Sequence, residues 1–464
     1  MLCFPGLEPS EADAPLPLKM AADHHSSLFE ATATADGLGR RLYPIPDEVC
    51  RYGEFGEFER SRKESGQWVF WNDRADLVLA GRYHDVKPLH VELSPTYLCN
   101  FACPWCSCRT AREDWSDEDV FNHPNATEST VMRNPSLQSI LEHLAAYGIG
   151  IQWVGGEPTM NPLLYPAALR ADALGLKQCL FTNGSLLDLR RIETLFDAHL
   201  VFVRVSLDAA TPSVHEIHHA YRAERNYAAR VIENVRTLIR VRRERRSATM
   251  IGISLVVDER NLHDVVPTAR FVRQCCEEFG PGAVDYVIIR PTYQFYKAQV
   301  QLGPDTRTRL QELVCTGAEV AELLREVGVK VVAPKDSFQD EGAFPASVAS
   351  GACLSCGWFA EVTPSGDMVV CSDRYGNPEY FIGNLAANSI DDIWRGDQRL
   401  KVLQFAERTS CFSSRCPRNG RGFHLNRVFH AIELCRRQGR ISEVRKWIED
   451  LRMVLPRPEH SFFL

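Results

Sequence analysis

Short apolar runs alternate with longer amphipathic stretches through the middle of the chain, and that alternation sets the expected fold. Leu89–Leu93, Ile149–Val154, Lys177–Thr182, Leu200–Ser206, Ile251–Val257 and Val284–Arg290 are runs of strand length rich in aliphatic residues. Helical spacing lies between them. Leu137, Ile140, Leu141 and Leu144 form a stripe after an Asn134-Pro135 start, and Asn161-Pro162 opens a helix running towards Leu174. Leu187–Phe196, the series Tyr227, Val231, Val235, Leu238 and Ile239, and Val265–Phe279 complete the helices. Strands and helices alternating at this spacing predict parallel βαβ units. Six such units predict an α/β fold, a partial (β/α)6 TIM-like barrel over residues 87–291.

Flanking segments break the alternation. Residues 1–37 are rich in Ala, Pro, Ser and acidic side chains without apolar period, and disorder is expected there. Within an extension over 38–86, Trp68–Trp71 and Asp76–Gly81 predict a small strand pair covering one barrel end. A bridging segment, 292–350, carries a helical pattern at Leu310–Val327 and a short strand at Val329–Val332. Residues 351–420 form a small cysteine-bearing domain, with a hairpin over Glu361–Cys371 that turns at Pro364 and Gly366. Residues 421–464 carry amphipathic helices at Leu425–Cys435 and Val444–Leu451.

Composition narrows the class. Across 464 residues, 45% hydrophobic and 24% charged content is that of a globular protein, and a net charge of −7 gives no reason to expect a nucleic-acid partner. The basic run Arg240–Arg246 includes Glu244 and reads as a solvated helix face. No apolar stretch of about 18 residues and no basic-then-apolar N-terminal signal is present, so no membrane partner is expected and the location is read as cytoplasmic. In that setting sixteen cysteines imply reduced thiols serving metal or clusters rather than disulfides.

The chemistry centres on Cys99-Asn100-Phe101-Ala102-Cys103-Pro104-Trp105-Cys106, directly after the first strand. A [4Fe–4S] cube normally takes four cysteines, so three thiols on one compact loop leave one iron open to a small molecule. Zinc, with Cys108 as fourth ligand, is the alternative for this spacing. Gly155-Gly156-Glu157-Pro158 ends strand two: the glycines allow close backbone approach to a ligand, and Glu157 can accept from a cationic amine. Thr182-Asn183-Gly184 ends strand three as a turn or a ligand contact. After strand four, alternation points Ser206 and Asp208 the same way, as a ribose or amino-acid end requires. His215 and His219 are spaced as a helical metal pair, but no carboxylate companion supports zinc, and with His218 they read as substrate-facing or surface residues. Cys353, Cys371, Cys411 and Cys416 suffice for a second cluster or a zinc knuckle, with Cys356 an alternative to Cys353.

The three-cysteine loop with Trp105 before its last thiol resembles the signature of the radical S-adenosylmethionine (radical SAM) superfamily, and the likeness continues in order over residues 87–291. The resemblance implies that the open iron is chelated by the amino and carboxylate groups of S-adenosylmethionine. Gly155–Pro158 would hold the methionine amino group, Asn183, Ser206 and Asp208 would contact the rest, and Ile288–Pro291 would flank adenine. The C-terminal thiols resemble the SPASM/twitch auxiliary-cluster domains, the shorter twitch form fitting best, which implies one auxiliary [4Fe–4S] cluster.

Such an enzyme takes an electron from a flavodoxin- or ferredoxin-like donor and cleaves S-adenosylmethionine. The 5′-deoxyadenosyl radical so formed removes a hydrogen atom from substrate. The expected substrate is a small polar metabolite (sugar, aminocyclitol or nucleoside) undergoing dehydrogenation, epimerisation or deoxygenation. The single auxiliary cluster and the group Arg415, Arg418, Arg421, His424 and Asn426 suggest it. The alternatives are a maturase acting on a ribosomally made peptide, with the N-terminal strand pair as leader-binding module, and a non-catalytic zinc-binding interaction protein. Cys108, Cys179 and several tyrosines are available to quench a radical.

Overall fold

In the computed structural model, the described residues are 67–106, 108, 126–221, 226–292, 303–314, 318–333, 353–371, 374, 377–409, 421–454 and 457. The expected disorder of residues 1–37 therefore lies outside them, as do Cys411, Cys416, Arg415 and Arg418.

Six parallel strands carry the fold: β1 (His90–Leu93), β2 (Gly150–Trp153), β3 (Gln178–Thr182), β4 (Phe202–Ser206), β5 (Met250–Val257) and β6 (Tyr286–Pro291). Each pairs with the next in sequence order, for example Val91 opposite Ile151 and Val203 opposite Ile251. Parallel strands must be covered on both faces, which is why they appear in the sequence as almost continuous apolar runs. Helices α2 (Asn134–Ala145), α3 (Leu164–Ala173), α4 (Leu189–Asp197), α6 (Tyr227–Arg245) and α7 (Val265–Phe279) cover the outer face. The short helix α5 (Pro212–His219) lies instead between β4 and α6, beside the cysteine loop. Leu137, Ile140, Leu141 and Leu144 of α2, with Val231, Val235 and Leu238 of α6, pack into one core with Val91, Ile151, Leu180, Val203 and Ile253.

The sheet extends beyond the six strands. β7 (Lys330–Val332) adds parallel to β6, and β8 (Phe359–Val362) adds parallel to β1, His90 standing opposite Phe359. β9 (Asp367–Val369) and β10 (Phe381–Asn384) follow antiparallel, so the described strands form one sheet in the order β10-β9-β8-β1-β2-β3-β4-β5-β6-β7. It is an open, partial barrel with β8 on the free side of β1. The expected hairpin forms, with Gly366 at φ +84° in its turn, but it shares the barrel's sheet rather than a sheet of its own.

Three expectations change. The N-terminal strand pair is a 3-10 turn at Trp68–Phe70 followed by helix α1 (Asn72–Leu79). Ala75, Val78 and Leu79 bury one face at i, i+3 and i+4, a period that the aromatic run before them disguised. This segment packs with the C-terminal helices α12 (Arg421–Arg437) and α13 (Ile441–Val454), where Trp68 meets Phe429 edge-on at 5.3 Å. The long pattern Leu310–Val327 is two helices, α8 (Pro304–Val314) and α9 (Glu319–Arg325). Helices α10 (Ile390–Arg395) and α11 (Asp397–Arg408) follow β10, and Ser389 opens α10 with a capping box to Asp392. In α6 the basic run is solvated at Arg240 and Arg243–Arg246, while Arg242 is buried against Asp285. Among the described residues no helix is long and apolar enough to cross a membrane.

Candidate active site

The cysteine loop leaves β1 at the strand's C-terminal end, where active sites of parallel barrels gather. It is clamped from two sides. Ala102 N donates to the His219 carbonyl at 3.1 Å, and Phe101 stacks on Tyr221 with ring centroids 4.9 Å apart and meets Tyr227 edge-on. Cys106 N closes a turn onto Cys103 O. An ionised Cys106 would repel charge on Cys99, and Cys99 and Cys106 would both repel charge on Cys103. Burial first, then the neighbouring thiols, push Cys103 well above the usual thiol range, and burial pushes Cys99 up likewise. Thiols held like Cys99 and Cys103 need a positive centre to become thiolates, which is what an iron–sulfur cube provides.

The ends of β2 and β3 brace this loop. Gly156 N donates to Thr96 O and Glu157 N to Leu98 O, both at 2.9 Å. A Cβ on Gly155 would stand 2.3 Å from Thr96 O, and one on Gly156 would stand 2.2 Å from Leu98 O. The backbone leading into the cysteine loop therefore requires glycine at both positions. Pro158 starts a 3-10 turn that Glu157 caps through Thr159 N. The Glu157 carboxylate also accepts from Thr159 Oγ1, Thr182 Oγ1 and Asn183 N, the last to Oε2 at 2.6 Å, which leaves Oε2 room for one more donor. Asn183 Nδ2 donates to Asn100 Oδ1 at 2.9 Å and approaches Cys99 Sγ at 3.9 Å, and Asn100 Nδ2 donates to Ser185 Oγ. Asn100 and Ser185 had no sequence signal as site residues.

Beyond β4 the chain does not continue as a strand. Ser206 is its last residue and half-buried, whereas Asp208 is fully buried in the left-handed region at φ +57°. The alternation argument therefore does not reach Asp208. Its Oδ1 accepts from Val256 N at 2.6 Å and its carbonyl from Asn261 Nδ2, tying the loops after β4 and β5 together. Burial raises its carboxyl to about 6, partly opposed by His218. His215, His218 and His219 are buried on α5, so the surface reading fails. His215 Nδ1 pairs with Tyr221 OH at 2.7 Å, and burial, then His218, lower its pKa to about 3. His218 stacks near Trp105 at 5.3 Å and stands 3.6 Å from Asp258 Oδ1. Trp105 Nε1, Asp208 Oδ2, both ring nitrogens of His218 and Nε2 of His219 are buried without a hydrogen-bond partner. Asp208 Oδ2 faces His219 Nε2 at 3.5 Å, so this buried polar group beside the thiols is loosely paired within itself, where buried polar atoms are normally hydrogen-bonded.

A second thiol group lies where the chain enters β8. Cys353 Sγ accepts from Asn426 Nδ2 at 3.3 Å, Cys356 Sγ donates to Cys353 O at 3.3 Å, and Cys371 is within electrostatic reach of Cys356. A hydrogen bond from Cys356 lowers the Cys353 thiol to about 6 against the opposing effect of burial. The two sites are joined by Tyr97, which precedes the cysteine loop and donates from its hydroxyl to the buried Glu361 of β8. Cys108 packs with Tyr97, Val154 and Cys106, whereas Cys179 lies low in β3 against Phe202.

Residues 93–272 match the model of the radical SAM superfamily, and residues 353–417 match that of the SPASM iron–sulfur cluster-binding domain. PqqA peptide cyclase of Gluconobacter oxydans (strain 621H) is 24% identical over 311 residues, covering 66% of this chain and 76% of the relative. An S-adenosylmethionine-dependent nucleotide dehydratase of Flammeovirga pacifica is 28% identical over 125 residues, 26% of this chain and 38% of that one. Streptococcus suis SuiB bound to precursor peptide SuiA superposes with a TM-score of 0.51 at 16% identity, covering 76% of this chain and 73% of that one, a likeness of fold.

Proposed function

Because the chain belongs to the radical SAM superfamily and carries a C-terminal SPASM iron–sulfur domain, we propose that it is an enzyme that modifies a peptide. The observation carrying this reading is the extent of likeness to PqqA peptide cyclase, 76% of that protein against 38% of the nucleotide dehydratase. It reverses the order drawn from the sequence, which put a small polar metabolite first. Asn426, the one residue of the supposed hydroxyl-binding group with a described side chain, is occupied by Cys353, Leu354 N and Ser355 N. Family membership also sets aside the non-catalytic zinc reading.

When bound, the [4Fe–4S] cluster and S-adenosylmethionine supply one-electron reductive cleavage and hydrogen-atom abstraction. The protein's part is ligation, orientation and exclusion of water. We assign Cys99, Cys103 and Cys106 to the cluster. The remaining acceptor on Glu157 Oε2 suits a cationic amine, with Asp208, whose Oδ2 faces His219 Nε2 at 3.5 Å, Ser206 on the inner face of β4 and Asn183 bracing the loop beside it. Gly155, Gly156 and Pro158 hold the shape of that corner. Cys353, Cys356 and Cys371 are the described candidates for the auxiliary cluster, to which Cys411 and Cys416 would add. A flavodoxin- or ferredoxin-like protein is the proposed electron donor.

The test is mass spectrometry on reconstituted protein with S-adenosylmethionine and reductant, given either ribosomal precursor peptides or a pool of nucleotides, sugars and aminocyclitols. Peptide-dependent 5′-deoxyadenosine with a matching mass change in the peptide is expected. Turnover of the small-molecule pool alone would restore the second reading, which the likeness to the nucleotide dehydratase favours.

A further inference from the structure

We propose that His219 donates a hydrogen bond to the cluster ligand Cys103 and so sets how readily that cluster is reduced. The proposal rests on the assignment of Cys99, Cys103 and Cys106 to the cluster, and its ground is the position of one imidazole. His219 Nδ1 lies 3.1 Å from Cys103 Sγ, and the residue is 1% exposed. Its ring cannot turn away. The His219 carbonyl accepts from Ala102 N, Asp208 Oδ2 stands 3.5 Å from Nε2, and the rings of Phe101 and His215 press on it at 5.0 and 4.3 Å. Asp208 is itself fixed through Val256 N and Asn261 Nδ2.

A cysteine bound to iron is a thiolate with no proton to give, so the hydrogen between the two atoms comes from Nδ1, and the neutral ring then carries no proton on Nε2 to give to Asp208. Hydrogen bonds to ligand sulfur draw negative charge off the cluster and favour its reduced, more negative form. An imidazole buried this deeply is costly unless it is used. Cys99 is approached differently, by Phe101 N at 3.4 Å and Asn183 Nδ2 at 3.9 Å, so the histidine is specific to Cys103. His219 is a positioning residue in this account, acting through Cys103.

Two near-isosteric replacements separate the donor from the bulk it fills: His219→Gln keeps an N–H within reach of the sulfur, and His219→Met does not. The full-length reconstituted protein is titrated with reductant and followed by electron paramagnetic resonance, using the cluster whose signal changes on adding S-adenosylmethionine. At one fixed ambient potential, His219→Met is expected to lower the ratio of reduced to oxidised cluster about tenfold, equivalent to 59 mV for a one-electron couple. His219→Gln should stay within about twofold of the parent, and the auxiliary signal should not move in either. Loading of the Gln variant but not the Met variant, at equal melting temperature, would also support the donor role. Equal ratios in the two variants would overturn it. So would failure of both to load, since the ring itself would then be required. A parent protein without any cubane signal would defeat the cluster assignment instead.

Discussion

Replacing Gly156 with alanine tests whether the corner after β2 exists to hold the cysteine loop. The added Cβ would lie 2.2 Å from Leu98 O, 2.5 Å from Tyr97 O and 2.6 Å from Leu98 C. Ordinary contact begins near 3.4 Å, so the loop must retreat by about 1 Å. Every obstructing atom is backbone, and no rotamer change relieves the clash. The displaced segment runs directly into Cys99 and carries the bonds from Gly156 N and Glu157 N. Overpacking of this kind costs about 3 kcal/mol with loss of these bonds included. Alanine's smaller unfolded-state entropy returns about 0.5 kcal/mol. Guanidinium unfolding of the apo-protein should show the loss. Anaerobic reconstitution should yield about four irons per chain in place of about eight, since only the auxiliary cubane would load. Gly148→Ala is the control: it has open space but φ +59°, and should cost about 1 kcal/mol without loss of iron. A Gly156→Ala protein with the parent's stability and full iron would refute the reasoning.

Other outcomes follow from the same geometry. Cys103→Ala should abolish 5′-deoxyadenosine formation, while Cys371→Ala should leave uncoupled cleavage intact, both read by chromatography. Asn426→Ala strips the acceptor from Leu354 N and Ser355 N and the donor from Cys353, and should cost about 3 kcal/mol in denaturant unfolding with selective loss of auxiliary iron. His215 titrates near 3 in the folded chain against 6.5 when unfolded, so the unfolded chain binds the extra proton first. Apo-protein stability should therefore fall as pH drops from 6.5 towards 3, and His215→Gln should reduce that slope by up to about 1.4 kcal/mol per pH unit.

Much of the architecture was legible because parallel strands bury both faces. Ile251–Val257 and Lys177–Thr182 could hardly have been anything else, and their observed limits differ by a residue. The three thiols were equally plain, since chemistry rather than packing dictates their spacing. Trp68–Leu79 misled because an aromatic run followed by a short apolar run fits strand and helix alike until its partners, here α12 and α13, are known. The surface alternative for the histidines of α5 fails for a related reason: a helix of eight residues does not announce which face the fold will cover. Asn100, Ser185 and Glu361 act through partners far along the chain, and sequence spacing carries no trace of such pairings. Asn426 reads from sequence as a binder of substrate hydroxyls because the loop it holds lies some seventy residues upstream.

The central claim is that the loop of Cys99, Cys103 and Cys106 leaves one iron free for S-adenosylmethionine. Pulsed electron–nuclear double resonance on the reduced protein, with S-adenosylmethionine carrying nitrogen-15 at its amino group, tests it most directly. A nitrogen-15 coupling to the cluster, absent in Cys103→Ala, is the expected result. A fully loaded, reduced cluster showing no such coupling would contradict the account.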